Sequence, residues 1–230
     1  MSLRRRLPVL VAAALLLAGC AGDDDAASGS TGAPTGAPAP AQAAESAGAE
    51  IDPATVPDAQ SAAFAVALRA TDLPPGWSVQ ANPVPENSDL SGNPSLEGIC
   101  GISFASEEQR TIKFPVVGLD PQGAPSVASE AIAYDSAEAG ALALTELRDA
   151  LSACPADDRT FLEPPGIEGL AEDVVVARYQ LADGATQDVI AQGRGAVVSV
   201  LIAEDPAAGA QAAQGIAQRL RALPGAAVGQ

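Results

Sequence analysis

The run Val174–Ala203, VVVARYQLADGATQDVIAQGRGAVVSVLIA, decides the fold. It divides into three strand-like pieces, Val174–Leu181, Thr186–Gln192 and Ala196–Ala203, rich in β-branched residues and separated by turn residues. Asp183-Gly184 predicts a hairpin of type I′, a turn that needs positive φ at both central positions. Gly193-Arg194-Gly195 predicts a second hairpin, so the three pieces lie side by side as an antiparallel meander. Val197–Ile202 is apolar except at Ser199. A strand with no polar face is covered on both sides, which makes it the central strand.

Downstream, Asp205-Pro206 supplies a helix cap with proline at the first helical position. Ile216, Leu220 and Leu223 give that helix its apolar stripe, and Pro224-Gly225 ends it. Residues 225–230 read as a flexible tail. Upstream, Ser126–Tyr134 alternates, with Ala128, Glu130, Ile132 and Tyr134 on one face and Val127, Ser129, Ala131 and Ala133 on the other. Asp135-Ser136-Ala137-Glu138 has the form of a capping box with Asp135 as the cap. The helix it opens carries Ala143, Leu144, Leu147, Ala150, Leu151 and Cys154 at helical spacing, and Pro155 stops it. Ile112–Val117 has strand composition, but Pro115 argues for a sheet edge. Gln60–Ala70 predicts a short helix with Phe64 and Leu68 on one face. Asp72-Leu73-Pro74-Pro75-Gly76-Trp77 then forms a rigid turn that delivers Trp77, as a plug on the core edge, into a strand Ser78–Asn82. Residues 82–98 read as a long loop. The fold class is α+β: one domain over 59–224, a twisted antiparallel sheet with helices packed on it.

The N-terminus is of another kind. Arg4, Arg5 and Arg6 precede an apolar run Leu7–Ala18, too short to span a membrane, and Leu17-Ala18-Gly19-Cys20 closes it. This four-residue run resembles the bacterial lipoprotein lipobox, which implies a signal peptide over 1–19 and a lipid on Cys20. Residues 20–58 are dominated by Ala, Pro, Gly and Ser and read as a disordered tether.

Composition excludes several functions. Histidine is absent from all 230 residues, which removes the usual general base, the commonest metal ligand and the Ser-His-Asp triad. Net charge is −17, and without residues 1–19 there are 9 basic against 29 acidic residues, so nucleic acid is not a partner. With Cys20 assigned to lipid, Cys100 and Cys154 remain as an even pair, and in an oxidising compartment they form a disulfide.

No motif specifies catalysis. Gly193-Arg194-Gly195 is followed by a strand, so no helix N-terminus meets an anion there. The adjacent acids Glu107-Glu108, Asp157-Asp158 and Glu172-Asp173 match no calcium-loop spacing and read as solvated surface. The sole lysine, Lys113, has no Ser-x-x-Lys context. No metal, cofactor or catalytic residue is expected.

The leading helix, Asp72–Trp77, the cysteine ahead of a strand, Tyr134–Ala139 opening a helix that ends at Cys154, and Gly-Arg-Gly before Val197–Val200 together resemble the extracellular sensor-type domain of the actinobacterial Ser/Thr kinase H. That module also recurs in actinobacterial lipoproteins. The resemblance covers roughly residues 59–223 and implies a cleft that binds an unidentified ligand. That family's second disulfide has no counterpart here, and no binding residue carries over. The resulting expectation is a non-enzymatic, lipid-anchored domain on the extracytoplasmic face of the cell membrane that binds a small ligand or an envelope protein. The alternative is a carrier of apolar, lipid-like molecules.

Overall fold

The computed structural model describes residues 51–81, 92–95, 99–154 and 159–230. The expected signal segment, Cys20, most of the expected tether, Asp157-Asp158 and most of the expected 82–98 loop lie outside them. The described residues form a seven-stranded, fully antiparallel sheet with three α-helices packed on it. The strands are β1 Ser78–Ala81, β2 Arg110–Leu119, β3 Pro125–Tyr134, β4 Arg159–Leu162, β5 Asp173–Leu181, β6 Thr186–Arg194 and β7 Val197–Ala203. The helices are α1 Ala59–Val66, α2 Ala137–Ala153 and α3 Pro206–Ala222. Spatial order is β1-β2-β3-β7-β6-β5-β4.

β7 is the middle strand, paired with β3 on one side and β6 on the other. It is buried at every residue but Ile202, as its apolar run requires. After β3, α2 crosses the sheet to the far edge, and the meander β4-β5-β6-β7 returns to close against β3. α2 covers one face, where Ile132, Leu147, Val189 and Val198 are buried together. α1 and α3 cover the other with Val66, Val127, Ala131, Leu201, Ile216 and Leu220. The two faces of β3 divide as its alternation predicts.

Several local expectations are corrected. α1 ends at Val66, so Leu68 lies beyond it, and Phe64 instead meets Phe114 edge-on at 5.0 Å. β2 is not an edge strand; Pro115 lies one residue past the last described β1 pair, Ala81 with Val116. Ser136, not Asp135, caps α2 by accepting from the Ala139 amide at 3.2 Å. The Asp135 amide still donates to Gln109 O at 2.9 Å, which keeps that residue in extended pairing. Asp183-Gly184 does turn the chain, but only Gly184 has positive φ. Its loop is closed by Leu181 N to Ala185 O and Gly184 N to Leu181 O, a three-residue turn ending in a left-handed glycine. The second hairpin turns at Gly195-Ala196, with Arg194 paired to Val197 and Gly195 at φ 55°.

β4 is an addition: four half-exposed residues too short to show a period. The domain is also wider than 59–224. Val56 is buried ahead of it, and 225–228 is not a loose tail but a 3-10 turn with Val228 fully buried and its carbonyl accepting from Ala196 N. Cys100 and Cys154 are bonded, tying the segment between β1 and β2 to the residue that caps α2. Cys154 is extended, as a residue preceding proline tends to be.

Candidate functional site

The site begins where α1 stops. Ala67 turns extended, and Ala70–Asp72 forms a 3-10 turn whose Asp72 carboxylate accepts from its own Arg69 amide at 2.8 Å. The last carbonyls of α1 need donors, and two guanidinium groups supply them. Arg69 Nη2 donates to Ala65 O at 2.8 Å and to Ile51 O at 3.0 Å. Arg219, reaching over from α3, donates from Nη2 to Ala67 O at 3.0 Å and Val66 O at 3.3 Å.

Arg219 also forks onto Asp72, Nη1 to Oδ1 and Nη2 to Oδ2, each at 2.7 Å. Both side chains are largely out of water, at 11% and 5% exposure, so neither charge is satisfied by solvent. Burial holds the Arg69 guanidinium below its ordinary pKa, the neighbouring Arg219 charge adds to this, and Asp72 opposes both. Two cations share one carboxylate.

Above this floor is an open recess of about 410 Å³. One wall is Arg69 and Thr71; the other is the exposed α3 stripe of Gln211, Gln214 and Gln218. Gly215 lets α3 come close, because a Cβ there would lie 2.4 Å from Asp72 Oδ1. Gln214 is engaged, donating to Glu168 O at 3.1 Å. Such walls are mainly polar and offer both donors and acceptors.

A second recess, about 430 Å³, lies between Glu172, Asp173, Arg194 and Arg221. Its cations are committed elsewhere. Arg194 donates to Leu220 O and Arg221 O at the α3 C-terminus and to Gln230 Oε1. Arg221 donates to Gly169 O and Leu170 O. The Gly-Arg-Gly run therefore fastens the end of α3.

Among the other residues singled out from the sequence, Lys113 is buried, donating to Glu130 Oε1 at 3.1 Å and Pro94 O at 3.2 Å. Glu107 pairs with Arg110 at 2.9 Å, while Glu108, Glu172 and Asp173 are exposed. Trp77 is half-buried against the α1 side of the core. Burial first, then Glu107, pushes the Tyr134 phenol above its ordinary range. Among the described residues, no group of three or more Cys, Asp or Glu is placed to hold a metal ion, and no helix is long and apolar enough to cross a membrane.

Sequence reading missed the Asp72–Arg219 site. Arg219 does carry a signal: it falls three residues after Ile216 and one before Leu220, on the stripe that faces the core. A cation at such a position calls for a buried counter-charge.

No family model matches the chain, and no curated protein matches it. Among solved structures, the extracellular domain of PknH from Mycobacterium tuberculosis is weakly similar, with 13% identity and a TM-score of 0.39. The match covers 49% of this chain and 66% of that one, just under two thirds of its length.

Proposed function

We propose that this chain is a lipid-anchored, extracytoplasmic binding module that takes up a small ligand or an envelope protein and catalyses no reaction. The observation that carries the reading is the recess over Asp72 and Arg219, a concave site with several converging polar groups on a rigid helix–turn frame. The lipobox-like run ending at Cys20 supports anchoring, and the bonded Cys100 and Cys154 suit an oxidising compartment. A chain without histidine, whose sole lysine is buried in an ion pair, offers little for acid–base or nucleophilic chemistry. The apolar-carrier alternative has less support, because the recess over Asp72 is walled by charged, hydroxyl and carboxamide side chains, and Leu170, Ala171 and Leu220 in the second are set among Glu172, Asp173, Arg194 and Arg221.

Native mass spectrometry of the protein isolated from its own membranes tests the binding role. A retained small molecule or stoichiometric protein is the expected result; a retained lipid other than the covalent anchor points to the carrier. Cys20→Ser tests the address: the variant leaves the membrane fraction, and continued attachment refutes the anchor.

A further inference from the structure

We infer that the recess over Asp72 selects a ligand bearing one carboxylate beside hydroxyl or amide groups. This rests on the binding-module reading and names the chemistry of its ligand. The molecule as a whole is strongly acidic, at −17, yet Arg69 and Arg219 at this floor face one carboxylate, Asp72. The local excess is one positive charge in surroundings that otherwise repel anions. Both guanidinium groups also leave a buried Nε–H without an acceptor, so this corner of the fold has more donors than oxygens to receive them.

A monoanion balances that excess, whereas a metal ion or a cationic ligand adds to it. The walls carry the second half of the specificity. Gln211, Gln218 and Thr71 are exposed and present both donors and acceptors at the recess, which match hydroxyls and amides. A volume of about 410 Å³ admits a sugar acid or a short acylated amino acid. Either source offers the same carboxylate, and the probes below separate them.

The test is a calorimetric titration of the full chain with glucuronate against glucose, and with N-acetylalanine against its N-methylamide. In each pair the acid binds at least about tenfold more tightly, and its affinity falls as salt is raised. Gln211→Glu and Gln218→Glu, at exposed positions that leave folding intact, each weaken the acid about tenfold more than they weaken its neutral partner. The better-binding acid identifies the source. Neutral partners that bind as tightly as the acids, or acids indifferent to both substitutions, overturn the carboxylate assignment and leave the binding-module reading standing. Failure of all four probes also overturns the assignment, and the ligand retained in native mass spectrometry then decides the broader reading by itself.

Discussion

Arg219 and Asp72 are 147 residues apart in the chain, yet both oxygens of the carboxylate lie 2.7 Å from guanidinium nitrogens. That fork joins the end of α1, the turn after it and α3. The two partners are unequal, because Arg219 also serves the Val66 and Ala67 carbonyls. Arg219→Met strands a buried carboxylate and two backbone acceptors, and should cost roughly 3–5 kcal/mol. Asp72→Asn leaves Arg219 its carbonyl partners and should cost less. Urea unfolding of both variants gives the order; equal losses would contradict this division of roles.

Gly215→Ala brings a methyl to within 2.4 Å of Asp72 Oδ1. Either α3 lifts or the carboxylate turns away, so a loss of about 1–3 kcal/mol is expected. Gly166→Ala is the control, since a Cβ there meets nothing within 4 Å and φ is not left-handed. Thermal melts of the two variants side by side read the difference.

The bond between Cys100 and Cys154 closes a span of 54 residues. Its removal by a double Cys→Ala substitution should lower stability by roughly 2–4 kcal/mol. Peptide mapping without reductant should recover the two cysteines in one species, and finding both alkylated would refute the pairing.

Both tyrosines of the chain, Tyr134 and Tyr179, have phenols raised above the ordinary value, with burial as the first cause. A folded-state pKa above the unfolded one means that the native state resists losing the proton. Their contribution is complete below about pH 10 and is lost as pH climbs beyond it. Near-ultraviolet titration should therefore show tyrosinate appearing together with unfolding. Tyr134→Phe should make stability less steep in that alkaline range, and ionisation of both phenols in the intact fold would sink the argument.

Much of the sheet was legible because its signals are local. Val197–Ile202 announces a doubly covered strand by a run that is apolar at all but Ser199, and the alternation in Ser126–Tyr134 separates the two faces of β3 correctly. Asp205-Pro206 caps α3 as read, with Asp205 Oδ1 accepting from the Ala207 and Ala208 amides. What failed depends on partners distant in sequence. Pro115 reads as an edge residue, but β1 pairs along the same strand, its last described pair being Ala81 with Val116 beside the proline. Val228 reads as tail because no periodicity follows Gly225, yet Ala196 and Arg194 fix that turn against the β6–β7 hairpin through Val228 O and Gln230 Oε1. The candidate site is the extreme case, since its ion pair forms only after α1 and α3 meet on the sheet.

The strand order also sets when the molecule becomes complete. β7, the middle of the sheet, is the last of the seven described strands to be synthesised, and Val127 waits for Ala203 to arrive. Until then the inner edge of β3 is an open row of amides and carbonyls, and α1 lies over an unfinished surface. Pairings this far apart make for slow folding. Strands β1 to β3 gain no finished core of their own until β7 joins them, which leaves their apolar faces open to proteases up to that moment.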